Sequence, residues 1–264
     1  MNAIITTIQK PPDNVLAFGK TSAKALGLPF IERKSCSLLE LEQSYAVNTI
    51  IVATKSGPVV HTPGGEYFFH LSMADLRIKN IINGKPDHMI SAMSLRPGMS
   101  VLDCTLGLAT DAVVSSFVCG PTGQVVGLEA SPIIAYITQH GLETLKTETP
   151  FIDEALRRIL VKNEDYNHAL YQIPDNSFDI VFFDPMFRQP VQASSNLKPL
   201  RYLADHRPLN SSMVEQAYRI AKQRVVIKEA NQSPEFTRLG IHTVVGGKYS
   251  RVSYGILEKK GDSL

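Results

Sequence analysis

Between Val101 and Asp111 an apolar run ends in an acidic residue and turns through Asp103-Cys104-Thr105-Leu106-Gly107-Leu108-Ala109 into a helix start at Thr110. Few local patterns constrain a fold more. A buried strand, a tight small-residue turn and a helix N-terminus are how α/β proteins bring backbone N–H groups to a ligand. A second apolar run, 178–183, ends in Asp184-Pro185-Met186-Phe187. In an open α/β sheet both strand ends lie on the carboxyl edge, so these distant pieces are expected to face one pocket.

From Pro97 onward, strand and helix signals alternate: strands at 100–104, 124–128, 159–162, 180–183 and 224–228, with helices from about 110, from about 132 and around 213–221. Such alternation implies a parallel, doubly wound sheet. The last two runs, 242–245 and 251–257, have too short a connection for a crossover helix and should pair antiparallel. The expected fold is therefore α/β and Rossmann-like, of the kind found in methyltransferase domains. Its sheet is mostly parallel, with an antiparallel C-terminal edge.

The turn Arg96-Pro97-Gly98 separates this expected domain, 97–264, from a small N-terminal α+β subdomain, 1–96. There, 4–7 reads as a strand, 21–27 as a short helix closed by Gly27, and 37–42 as another short helix. The runs 48–54 and 58–62 suggest a hairpin that 66–70 could continue, and 73–93 is more helical, interrupted by Pro86.

The turn at 103–111 lacks Gly-x-Gly-x-x-Gly: only Gly107 holds a glycine position, with Thr105 and Ala109 where the others would fall. A pyrophosphate would not be tightly cradled there. S-adenosylmethionine has no pyrophosphate and carries an amino group and a sulfonium, which suit Asp103 and Asp111. Glu129 ends the run 125–128 at about the distance where an acidic residue accepts ribose hydroxyls. Glu164 and Asp165 follow 159–162 and could accept the adenine amino group. Helix capping is the alternative for Asp111 and Glu129, and solvated loop positions for Glu164 and Asp165.

Asp184-Pro185-Met186-Phe187 carries the expected chemistry. The lone pair of an exocyclic base amine is delocalised into the ring. A carboxylate and a backbone carbonyl that accept its N–H bonds hold the lone pair toward a sulfonium methyl. Asp184 and the Pro185 carbonyl supply those acceptors, Pro185 stiffens the corner, and Phe187 can stack on a flat ring. A plain Asp-Pro turn with a buried Phe is the alternative.

These motifs resemble the RsmJ family of 16S rRNA guanine-N2 methyltransferases, within the class I S-adenosylmethionine-dependent methyltransferases. The likeness runs from about 98 to 257, with a weaker echo at 70–93. The family's acidic-x-Thr-x-Gly turn corresponds to Asp103-Cys104-Thr105-Leu106-Gly107, its Asp-Pro-Met-aromatic loop to 184–187, and its Arg-Val-Val-Val-Lys strand to Arg224-Val225-Val226-Ile227-Lys228. The resemblance implies S-adenosylmethionine contacts at Thr110, Asp111, Glu129, Ala130, Glu164, Asp165 and Asp184. Thr110 and Ala130 depart from the arginines usual in the family, and Arg188-Gln189-Pro190 departs from its Pro-His-Lys continuation.

For substrate, Arg188, Lys198, Arg201, His206 and Arg207 form a basic cluster after the Asp-Pro corner, and Lys228 ends a strand at the same edge. They suggest phosphate contacts, so RNA is the expected partner, with Arg77, Lys79 and Lys85 as a possible second grip. A solvated lid is the alternative for the cluster, and a lysine snorkelling from the core for Lys228. The formal net charge of +2 over 264 residues diagnoses no nucleic-acid binding by itself. Cys36, Cys104 and Cys119 lack metal-ligand spacing, which argues against zinc or a disulfide framework and for a reduced, cytoplasmic setting. No metal site, signal segment or membrane span is expected, hydrolase and Walker motifs are absent, and nothing sets the oligomeric state. The expectation is an N-methyltransferase acting on an exocyclic base amine of RNA, most simply guanine N2 of small-subunit rRNA. A small-molecule N-methyltransferase and a non-catalytic RNA-binding scaffold are the alternatives.

Overall fold

β-branched runs near the N-terminus and apolar runs after Pro97 form two separate sheets in a computed structural model that describes residues 2–186, 198–247 and 250–259. The first sheet has the order β1 (Ala3–Thr7), β2 (Thr49–Thr54), β3 (Gly57–Thr62) and β4 (Gly65–Tyr67). Strands β1 and β2 are parallel, so the chain crosses over between them through α1 (Asp13–Leu26) and α2 (Leu38–Tyr45). The expected hairpin joins β2 to β3, with Gly57 at φ 114° in its turn. A capping box between Ser37 and Glu40 starts α2.

Helix α1 begins well before the expected 21–27. Pro12 supplies an extended N-cap, and Val15, Gly19, Ser22 and Ala23 make a buried stripe that extends the helical period upstream. Gly27 ends the helix in the left-handed conformation, as expected. Pro86 separates α3 (Ala74–Ile82) from α4 (His88–Met93), and the Asp87 side chain accepts the Met89 and Ile90 N–H groups at the start of α4.

The second sheet contains β5 (Ser100–Asp103), β6 (Gln124–Leu128), β7 (Ile159–Lys162), β8 (Phe178–Phe183), β9 (Ala221–Ala230), β10 (Thr243–Val245) and β11 (Val252–Glu258) in the order β10-β11-β9-β8-β5-β6-β7. Neighbours from β7 to β9 are parallel, and β11 pairs antiparallel with both β9 and β10. Ile180, Val181, Phe182 and Phe183 are all buried, because helices cover both faces; the run therefore shows no polar alternation.

On one face α5 (Thr110–Cys119) and α7 (Pro150–Arg157) share a core with Ala74, Ile78, Met89 and Met93 of α3 and α4. The other face is covered by α8 (Tyr166–Ala169), α10 (Ser211–Ile220) and α11 (Glu235–Arg238). A third cluster joins the sheets: Ile133, Ile134 and Ile137 of α6 (Pro132–Thr144) meet Ile5, Ile51 and Val60 of the first sheet and Leu200 and Leu203 of α9 (Lys198–Leu203). The N-terminal sheet thus supports α9, which lies over the carboxyl edge.

Candidate active site

The chain runs outward from β5 to β6 and β7, then returns to β8 and β9 on the other side of β5. Between β5 and β8 the strand order reverses, which opens a crevice at their carboxyl ends. Both motifs end there. The Cys104 N–H donates to the Phe182 carbonyl at 2.9 Å, and the Asp184 N–H donates to Thr105 Oγ1 at 2.6 Å. The small-residue turn and the Asp-Pro corner are thereby held together.

Within the turn, Gly107 and Ala109 adopt left-handed conformations. The Gly107 N–H donates to Glu129 Oε2 at 3.0 Å, and the Ser131 N–H donates to Glu129 Oε1 at 2.8 Å. Burial raises the Glu129 carboxyl against the pull of these bonds. The Thr105 N–H donates to Asp103 Oδ1 at 3.0 Å, yet burial pushes the Asp103 carboxyl up to about 8.

Two clefts meet at this point. The smaller, about 60 Å³, lies between Gly107, Glu129 and Ala130 on one side and Tyr166, Leu200 and Arg207 on the other. The larger, about 510 Å³, is bounded by Arg77, Thr110, Arg201, Lys228 and Tyr254. Thr105, Gly107, Asp184, Pro185 and Met186 line both, so Asp184 stands on their common wall.

A chain of alternating charges runs into that wall. Lys228 Nζ donates to Asp184 Oδ2 at 2.7 Å and to Asp111 Oδ2 at 2.8 Å. Arg77 donates to the other Asp111 oxygen at 2.5 Å and grips Asp87 with two N–H groups at 2.8 and 2.9 Å. Burial pushes Asp111 upward, but Lys228 and Arg77 outweigh it and hold the carboxyl at about 2. Burial opposes the charge on Lys228, and the two carboxylates more than restore it. Asp184 is raised, by burial and then by Asp111, against Lys228.

Of the residues expected to hold the cofactor, Thr105, Gly107, Glu129, Ala130 and Asp184 line the smaller cleft, and Asp103, Thr110 and Asp111 the larger. Glu164 is exposed and lines neither. Asp165 caps α8 through the Asn167 N–H and pairs with Arg207 at 2.6 Å. Of the residues expected to hold substrate, Arg201 and Lys228 line the larger cleft, Arg207 the smaller, and Lys198 is exposed at the start of α9. Phe187 and Arg188 lie outside the described residues. Arg77 is turned into the site, and Lys79 pairs with Asp75. Tyr254 was missed; its signal is register, since it stands opposite Lys228 between β11 and β9. No group of metal-ligating side chains occurs among the described residues, and none of their helices is long and apolar enough to cross a membrane.

The donor set suits S-adenosylmethionine. Five carboxyl groups, Asp103, Asp111, Glu129, Asp184 and Asp205, line the two clefts beside Arg77, Arg201, Arg207 and Lys228. Asp111, Asp184 and Asp205 are taken up by those cations, whereas Asp103 and Glu129 form no salt bridge among the described residues and are left to face a cationic ligand. At Gly107 a Cβ would find no atom nearer than 3.9 Å, so the turn is open toward the clefts.

Residues 67–254 match the protein family described as "Putative SAM-dependent methyltransferase". The chain is 34% identical over 255 residues to "Uncharacterized protein YpiP" of Bacillus subtilis, covering 97% of this chain and 99% of that protein. It is 28% identical to "Ribosomal RNA small subunit methyltransferase J" of Dechloromonas aromatica, over 74% of this chain and 79% of that one. The crystal structure of the SAM-dependent methyltransferase NGO1261 from Neisseria gonorrhoeae shares the fold, with a TM-score of 0.64 at 17% identity, covering 97% of this chain and 96% of that one. The chain thus belongs to the S-adenosylmethionine-dependent methyltransferase family, and S-adenosylmethionine is its cofactor.

Proposed function

We propose that the protein methylates an exocyclic base amine of RNA, with guanine N2 of small-subunit rRNA as the first substrate to test. The observation that carries the reading is Asp184, on the wall common to both clefts and tied to Lys228. The name of the Dechloromonas aromatica relative, a ribosomal RNA small subunit methyltransferase, supports RNA as the substrate. Guanine N2 comes from the likeness of the 103–111 turn and the 184–187 loop to the RsmJ family.

In this reading Glu129 at the smaller cleft and the turn would hold the nucleoside part of the cofactor, Asp103 would face its cationic end in the larger cleft, and the rest of the larger cleft receives the base. The cofactor supplies a methyl group on a sulfonium. Lys228 occupies Asp184 Oδ2, so Oδ1 and the Pro185 carbonyl accept the two amine N–H bonds and aim the lone pair. Thr105 fixes the Asp184 backbone, which makes the geometry stiff before substrate arrives. The Asp184 carboxylate, whose hold on a proton burial and Asp111 raise against the pull of Lys228, takes up the proton that the methylated nitrogen releases. Arg201 and Arg207 contact phosphate. Residues 97–264 carry the transfer, 1–96 brace α9 and the RNA, and the protein works in the cytoplasm.

The test is methyl transfer from labelled S-adenosylmethionine to small-subunit rRNA from cells lacking the protein, both naked and in particles, followed by digestion and mass resolution of the nucleosides. Label in N2-methylguanosine is the expected result. Label in another methylated nucleoside would retain RNA and correct the base. Cofactor binding without label in any RNA would favour a small-molecule amine or a scaffold.

A further inference from the structure

A second large cleft lies away from the carboxyl edge, where the β2–β3 hairpin, α1 and the end of α6 meet. It measures about 480 Å³, and its wall contains Lys55, Lys146, His140 and the rings of Phe18, Phe68 and Phe69. No Asp or Glu lines it among the described residues. Several cations elsewhere are paired: Lys79 with Asp75, Lys228 with Asp111 and Asp184, and Arg77 with Asp87 and the same Asp111. Lys55 and Lys146 are exposed and make neither a salt bridge nor a side-chain hydrogen bond among the described residues, and Lys146 has only a weak electrostatic pull on Asp153, which lies outside the cleft lining. Glu143, next to His140 along α6, is engaged by the Gln139 amide at 2.9 Å.

The cleft connects to the active site through one segment. Phe68 is 46% exposed although it is a large aromatic, and its ring lies edge-on to His70 at 5.6 Å. Nδ1 of His70 accepts the Ser72 N–H at 3.1 Å, and Ser72 and Met73 line the larger active-site cleft. Met73 is 53% exposed. From Phe68 to Met73 the chain spans at most roughly 17 Å, so ligand leaving the active site along this segment meets the second cleft. Fixed positive charge, the exposed Phe68 ring and a lining without carboxylates match a partner that combines phosphates with uncovered flat bases. Single-stranded nucleic acid has both, whereas a duplex hides its base faces.

We infer that this cleft and the Phe68–Met73 segment bind single-stranded RNA flanking the target nucleotide, with Lys55 and Lys146 on phosphates and Phe68 stacked on a base. The inference rests on the RNA reading of the active site.

The experiment is fluorescence anisotropy of a labelled single-stranded RNA oligonucleotide, and of the same strand in a duplex, across a salt series. The proteins are wild type, the double variant Lys55→Glu/Lys146→Glu, and Phe68→Ala; calorimetry with S-adenosylmethionine shows that each remains folded and takes cofactor normally. The double variant is expected to bind single strand about tenfold or more weakly, with a slope of log affinity against log salt smaller by about 1.4, two contacts at about 0.7 each. Phe68→Ala is expected to lose about tenfold on single strand and little on duplex. Wild-type affinity and slope in the double variant would overturn the inference and leave the active-site reading standing. Equal losses on single strand and duplex in Phe68→Ala would overturn the single-strand assignment. A wild-type protein that takes cofactor but binds neither RNA would overturn both readings.

Discussion

Lys228 Nζ sits 2.7 Å from Asp184 Oδ2 and 2.8 Å from Asp111 Oδ2, one ammonium shared by the partly exposed Asp184 and the buried Asp111, which lie 73 positions apart in the sequence. The first aspartate ends a strand and the second begins a helix, and only the return of the chain to β8 beside β5 brings them together. Removing the ammonium leaves Asp184 without its cation and the buried Asp111 with Arg77 alone. Lys228→Met is therefore expected to destabilise the fold by about 3 kcal/mol, at the low end of the loss for one broken partner of a buried pair. Urea denaturation at neutral pH checks this. Lys228→Arg, which keeps the charge, should recover most of the stability.

Arg77 grips Asp87 with two N–H groups and turns a third toward Asp111, a planar fork that an ammonium does not reproduce. Arg77→Lys should lose about 1.5–3 kcal/mol, the range for hydrogen bonds to charged groups. Arg77→Leu should lose more, because Asp87 and Asp111 each lose a charged partner. Thermal melts of the two variants side by side decide the order.

Asp103 and Asp111 respond to pH with opposite signs. Asp103 is raised in the folded protein to about 8, so the stability it contributes is complete below its unfolded value and is lost as pH rises through about 8. Asp111 is lowered to about 2, so its contribution is present above the unfolded value and is lost as pH falls through about 2. Asp103→Asn should therefore flatten the decline of stability between roughly pH 4 and pH 8. A cationic ligand beside Asp103 should also drive off its proton near neutral pH. Cofactor-binding enthalpies measured in phosphate and in Tris should then differ for wild type and agree for Asp103→Asn.

Gly141 lies in α6 against Phe69, and a Cβ there would come within 1.9 Å of the Phe69 ring. Gly141→Ala adds helix propensity but overpacks the contact between α6 and the segment leading to the active site. A net loss of about 1–3 kcal/mol is expected, read as a fall in the denaturant midpoint.

Local chemistry made much of this fold legible in the sequence. Apolar runs that end in Asp103 and Asp184 located the two central strand ends, and the short connection between 242–245 and 251–257 gave the antiparallel edge. Gly27 marked the end of α1. Its start at Asp13 was hidden, because the stripe from Val15 to Ala23 is made of small residues that carry a weak apolar signal. The parallel pairing of β1 with β2 also escaped, since it depends on a crossover rather than on either strand. At the site, the charge chain was not legible. Lys228 finds its partners through sheet order, and Arg77, which reads as a surface cation on α3, is drawn inward by Asp87 and Asp111. Tyr254 carries no motif and enters the cleft only through its register with Lys228.

The most direct test of the central claim is calorimetric titration of S-adenosylmethionine into wild type, Glu129→Ala and Asp184→Ala, with methyl transfer to rRNA measured on the same preparations. Wild type should bind in the micromolar range, and Glu129→Ala should lose at least about tenfold, consistent with about 1.4 kcal/mol or more from a buried carboxylate that accepts ribose hydroxyls. Asp184→Ala should keep cofactor affinity within about threefold while transfer falls by about a hundredfold or more, as expected when a group that positions and stabilises the reacting centre is removed. No binding by wild type, or transfer by Asp184→Ala at the wild-type rate, would contradict an active site built around the Asp184 wall.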